Sequence, residues 1–217
     1  MRHDLRTAEA AGGNPPLRSA YRVCCGVTRR DPAEYALVQL LPAALRPPYW
    51  ALWAAASTVD DLADAPGEPF ESRAARVAEW KTALRREREV GSSPDPVRAA
   101  LIDTAARWGL DLSELDGAIR VVQEDMVGRR LTNWHAWEQW NGDGQLPWFE
   151  QVIRVMLRAG IVVLPGTANF NAFPELVCGV RLSDILTDLS EDLAGGHLLL
   201  PESELASTPA PRTTCFD

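Results

Sequence analysis

The amino-acid sequence predicts an all-α fold, and three observations carry that prediction. Apolar residues recur at spacings of three and four along most of the 217 residues. No stretch alternates with a strand's period of two beyond short fragments, and β-branched runs such as Ile161-Val162-Val163 sit inside helical periods. Pro and Gly punctuate the periodic stretches about one helix length apart. The chain is long enough to bury one real core and short for two, so a single domain is expected.

Residues 1–19 contain Gly12-Gly13-Asn14-Pro15-Pro16 without apolar periodicity and read as a flexible leader. The helical domain is expected over 20–206, with 207–217 as a disordered tail. Helices are predicted from about Leu17 to Val27 and from Pro32 to Leu41, the second begun by Asp31 as N-cap with Pro at the first position. The next runs from Pro47 to Ala65 and ends at Pro66-Gly67. A charged amphipathic helix follows over Glu68–Val90, then Val97–Trp108 closed by Gly109. Ser113 is read as the cap of a long helix reaching Arg130. Thr132–Trp140 then precedes an Asn141-Gly142-Asp143-Gly144 turn. Helices from Pro147 to Leu164 and from Pro174 to Leu193, separated by Pro165-Gly166, complete the series.

Two acidic clusters lie inside these apolar patterns: Asp60-Asp61-Leu62-Ala63-Asp64, and Asp184-Ile185-Leu186-Thr187-Asp188-Leu189-Ser190-Glu191-Asp192. At a rise of 1.5 Å per residue, Asp60 and Asp64 share a helix face about 6 Å apart, and Asp184, Asp188 and Asp192 form a second stripe. Like charges at that spacing destabilise a helix, so a compensating cation is expected. Magnesium, which takes one or two carboxylates together with phosphate oxygens and water, is the natural candidate.

The formal net charge of -8 argues against nucleic acid, while leaving a diphosphate accessible through bridging metal ions. Cys24, Cys25, Cys178 and Cys215 form neither a CxxC pair nor a disulfide framework and read as reduced thiols of a cytoplasmic protein. The N-terminus has no apolar signal-peptide core, and no run reaches 18 apolar residues, so no transmembrane segment is expected. The tryptophans between 134 and 148 pack between helices or contact a membrane surface peripherally.

With both clusters in view, the chain resembles the squalene and phytoene synthases, dehydrosqualene synthases included, from about Tyr21 to Leu205. The resemblance rests on Leu40-Leu41-Pro42 followed by Arg46, on Asp60-Asp61-Leu62-Ala63-Asp64, and on Leu182 to Asp192 continuing into Leu199-Leu200-Pro201-Glu202. It implies a class I isoprenoid-synthase helical bundle around a central apolar pocket. It further implies magnesium held by Asp60, Asp61, Asp64, Asp184, Asp188 and Asp192, with Asp60, Asp64, Asp188 and Asp192 as the catalytic carboxylates. Arg46, Trp53, Arg181 and His197 are the implied substrate contacts, and Phe149 and Met156 are further pocket candidates.

The departures from the family pattern are as informative. Asp184 stands where the family usually has Asn, and Arg181 where it has Gln. Ser57 and Thr187 replace two arginines, His197-Leu198-Leu199 replaces an Arg-x-Tyr, and Asp31-Pro32-Ala33-Glu34 replaces a Ser-rich segment. No Ser, Thr or Leu can stand in for a bidentate guanidinium. Arg129 and Arg130 are further candidate cations. The resemblance also implies helices beyond residue 217, whose lack would leave the pocket open on one side and expose apolar surface that favours dimerisation or aggregation; a monomer or a homodimer is expected. Three activities follow as expectations: condensation of prenyl diphosphates, such as farnesyl or geranylgeranyl diphosphate, to a longer isoprenoid; cyclisation of a single prenyl diphosphate; and binding of ligand or partner by an inactive homologue.

Overall fold

The computed structural model describes residues 15–127, 130–144, 148, 150–152, 154–155, 173–194 and 199–207, and these are helical or in short connections. The elements are α1 (Pro15–Thr28), α2 (Pro32–Leu40), a 3-10 turn (Ala43–Leu45), α3 (Arg46–Ala63), α4 (Phe70–Val90), α5 (Pro96–Trp108), α6 (Leu115–Asp125), α7 (Trp134–Gly144), α8 (Phe173–Ala194) and α9 (Glu202–Ser207). No strand occurs among the described residues, as the periodicity predicts.

Local chemistry sets the boundaries. The Asp31 carboxylate accepts from the N–H groups of Ala33 and Glu34 ahead of Pro32, so α2 starts where the sequence places it. Gly91 and Gly109 adopt φ of 77° and 59° at the ends of α4 and α5, a left-handed conformation that costs a residue with a Cβ about 1 kcal/mol or more. Pro47 and Pro48 fall in the first turn of α3, where a missing N–H leaves no hydrogen bond unmade.

Four boundaries differ from expectation. The helix α1 begins at Pro15, ahead of the expected end of the leader. Ser113 does not cap α6: its hydroxyl and its N–H both donate to Asp111 Oδ1, at 2.6 and 2.9 Å, in a turn before Leu115. This helix ends at Asp125 rather than Arg130, its last turn tightened by Val127 N–H donating to Glu124 O at 3.3 Å. The expected turn at 141–144 is instead the last turn of α7, because Asn141 is buried and donates Nδ2 to Cys178 Sγ of α8 at 2.9 Å. A tertiary contact thereby overrides the turn propensity of Asn-Gly-Asp-Gly.

The central element is α3, buried through Trp50, Ala51, Leu52, Ala54, Ala55, Val59 and Ala63. Its small residues allow α1, α4, α5 and α6 to approach closely, and these helices form the main core with it. A second, smaller core joins Val121 of α6, Trp137 and Trp140 of α7, and Ile185 of α8, with Leu131. Since α6 contributes Leu115 and Ile119 to the first core and Val121 to the second, it connects α3, bearing the first acidic cluster, to α8, bearing the second. Among the described residues, no helix is long and apolar enough to cross a membrane.

Candidate active site

Asp60 lies in the last turn of α3, and the Asp64 N–H donates to the Asp60 carbonyl at 2.8 Å to close that helix. Asp60 retains surface open to water, yet protein surrounds it on enough sides that burial dominates its titration. Its carboxyl is pushed up to about 7: burial raises it most, the Arg181 guanidinium pulls it down, and the negative charges of Asp64, Asp61 and Asp125 raise it again. These influences bring three helices into one electrostatic neighbourhood, with Asp60 from α3, Asp125 from α6 and Arg181 from α8.

Arg181 stands over the Trp140 ring, its Cζ 5.4 Å from the centroid, and Trp140 Nε1 donates to Asp125 Oδ2 at 2.7 Å. Beyond Arg181 the α8 backbone carries Asp184 and Asp188 at three and seven residues, one helical stripe in sequence register with it. The side chains of Asp184, Asp188 and Asp192 lie outside the described set, as do His197, Arg129, Phe149 and Met156. Among the described residues, no three acidic, His or Cys side chains close on one point.

Two expected site residues have other partners. Asp61 pairs with Arg30 at 2.7 Å, both side chains 56 % exposed, because the residue after Asp60 is rotated by a helical step toward the α1–α2 loop. Arg46, expected to touch substrate, caps α2: Nε donates to Leu41 O at 2.9 Å, and Nη1 and Nη2 donate to Gln39 Oε1 and O at 3.1 and 2.9 Å. The carbonyls at a helix C-terminus lack intrahelical partners and attract a cation, which is the physical reason for this placement. Arg46→Met is accordingly expected to cost about 1–3 kcal/mol of stability and to leave the Michaelis constant unchanged, which thermal unfolding and steady-state kinetics would check.

Trp53 is half-buried on α3. Nearby, Leu45, Tyr49 and Leu52 face Val152 and Val155 across a narrow apolar gap, and the Tyr49 hydroxyl donates to Glu34. Arg130 is held by Glu202, with its Nε and Nη2 2.6 and 2.5 Å from the carboxylate oxygens, which fixes the segment after the second acidic cluster. A cavity of about 640 Å³ lies elsewhere, between the start of α1, the α4–α5 connection and α5, and none of the acidic-cluster residues lines it. Sequence reasoning did not single out Asp125 or Trp140 for the site. Their 15-residue separation spans two helices, and no local pattern signals that contact.

Asp60, Asp64 and Asp125 offer carboxylate oxygens, the donor chemistry of a hard divalent cation. Burial is the main reason the Asp60 carboxyl is pushed up, and the neighbouring carboxylates add to it.

Comparison with known proteins decides the family. The squalene/phytoene synthase family model matches residues 27–215. The chain belongs to the squalene/phytoene synthase family. It is 27% identical over 203 residues to the bifunctional protein CrtB/UppS of Streptomyces coelicolor, covering 91% of this chain and 34% of that protein. It is also 27% identical over 208 residues to the 15-cis-phytoene synthase of Synechococcus elongatus, covering 88% of this chain and 63% of that one. The chain therefore spans less than two thirds of either relative's length. The crystal structure of the squalene synthase HpnC from Alicyclobacillus acidocaldarius superposes with a TM-score of 0.75 at 22% identity, over 92% of this chain and 72% of that one. That likeness extends the shared all-α fold across nearly the whole squalene/phytoene synthase-family chain.

Proposed function

We propose that the protein is a magnesium-dependent transferase that ionises a prenyl diphosphate and condenses the resulting cation into a longer isoprenoid. Membership of the squalene/phytoene synthase family supports the reaction class. The single observation that carries the site is the meeting of three helices, with Arg181 of α8 stacked on Trp140, Trp140 holding Asp125 of α6, and the charges of both acting on Asp60 of α3.

Asp60 and Asp64 would hold magnesium from α3, and Asp184, Asp188 and Asp192 from α8. Bound there, magnesium would supply positive charge to a departing diphosphate. Arg181 adds a permanent, bidentate donor for the same phosphate oxygens. The half-buried Trp53 of α3, with Tyr49 and Leu52 on the same helix, would supply an apolar surface that excludes water while the allylic cation exists. Ser57 and Thr187, where the family pattern has arginines, leave Arg181 with a larger share of the anion binding.

Incubation with farnesyl or geranylgeranyl diphosphate and magnesium, followed by extraction and mass spectrometry, tests the reading. A product with the carbon count of two substrates is expected. A product with the carbons of one substrate would assign cyclisation or hydrolysis, and no product at all would assign an inactive ligand-binding homologue.

A further inference from the structure

We propose that Trp140 is a positioning residue of the diphosphate site, holding Arg181 on its ring face and Asp125 on its indole N–H, so that one buried side chain orients both a cation and a carboxylate. This rests on the diphosphate reading above and adds a residue that the acidic motifs do not contain.

Trp140 is only 3% exposed, so its orientation is set by packing. Trp137 lies against it with ring centroids 6.3 Å apart, and Trp137 Nε1 donates to Leu199 O at 3.0 Å, tying the same helix to the segment after the second acidic cluster. One residue beyond Trp140, Asn141 donates to Cys178 Sγ, three residues before Arg181 on α8. Ile185, one turn after Arg181, is buried in the same small core as Trp140. Contacts before and after Arg181 thus hold α8 in register with α7. Arg181 meets the ring with its Cζ 5.4 Å from the centroid, and the indole edge meets Asp125 Oδ2 at 2.7 Å. A guanidinium stacked on an aromatic face has its plane fixed, and the stack removes rotamers that would otherwise be lost on binding an anion.

The experiment is calorimetric titration of the full chain with inorganic pyrophosphate in the presence of magnesium. Trp140→Met removes the ring and the N–H while filling most of the volume, and it is expected to weaken binding about tenfold, the scale of a desolvated cation–π contact. Trp140→Phe, which keeps a ring face, should recover most of that loss. In an Arg181→Ala background, Trp140→Met should cost less than about twofold more, because the ring reaches the anion through Arg181 and only the contact with Asp125 is left to act.

Wild-type affinity in Trp140→Met overturns the proposal and leaves the diphosphate reading standing, and so do losses that simply multiply in the double variant. A wild-type chain that binds no pyrophosphate overturns the diphosphate reading and the proposal with it. Should Trp140→Met fail to fold by circular dichroism, the Trp140 indole N–H resonance, identified by its disappearance in Trp140→Phe, decides. It shifts in Arg181→Ala if the stack exists, and an unmoved resonance overturns the proposal.

Discussion

Asp60→Asn is expected to lower turnover of prenyl diphosphate by at least about a hundredfold, the scale of losing one preorganised electrostatic group, and Asp188→Asn of the second motif is expected to do the same. The Asp60 variant carries a second effect of opposite sign. In the folded chain Asp60 titrates near 7, against an ordinary 3.8, because burial and three neighbouring carboxylates oppose its ionisation. Between those values the folded chain holds a proton that the unfolded chain has released, so the Asp60 contribution to stability falls as pH rises across that window. Above 7 the folded state bears the full cost of the ionised group. Without metal, Asp60→Asn should therefore melt above wild type at pH 8, by about 1–2 kcal/mol after discounting for the water that reaches the residue, and with no such difference at pH 3. Thermal melts in chelator at the two pH values check this, and kinetics on the same samples check the loss of turnover. Magnesium affinity of the wild type should rise with pH through about 7, as Asp60 becomes a ligand. Full turnover in Asp60→Asn would overturn the metal-dependent reading.

The helical class was legible because periodicity and punctuation agree: Asp31 and Pro32 start α2, Gly91 ends α4, and Gly109 ends α5. What escaped was set by contacts between helices. The Asn141-Gly142-Asp143-Gly144 run reads locally as a turn, and its contacts with Cys178 on α8 and Arg120 on α6 accompany a helix instead. Arg46 illustrates the converse: its place in a family motif suggested substrate, while the unmatched carbonyls at the end of α2 supplied a nearer partner. The acidic motifs announced themselves through their four-residue spacing. Spacing alone did not separate Asp60, raised by its surroundings, from Asp61, which pairs with Arg30 in solvent. Asp125 and Trp140 had no sequence signal, because their meeting depends on how α6 and α7 pack.

Arg181→Ala raises the Michaelis constant by about tenfold to a hundredfold and lowers turnover less, the range for losing a charge-assisted hydrogen bond to an anion. The split follows from the physics of the group. A permanently charged guanidinium in that position would hold the diphosphate in the bound substrate as well as in the transition state, so its loss would weaken both. The same substitution removes the positive charge that favours ionised Asp60, and Asp60 titration should move further up from about 7. The pH at which activity reaches half its maximum should then rise in Arg181→Ala. Arg181→Lys should keep the pH profile closer to wild type while recovering only part of the affinity, because an ammonium supplies the charge without the planar fork that matches two phosphate oxygens. Steady-state kinetics of the three proteins across pH 6–9 separate these effects. An unchanged Michaelis constant in Arg181→Ala removes Arg181 from the substrate site, and an unchanged pH midpoint removes its charge from the neighbourhood of Asp60.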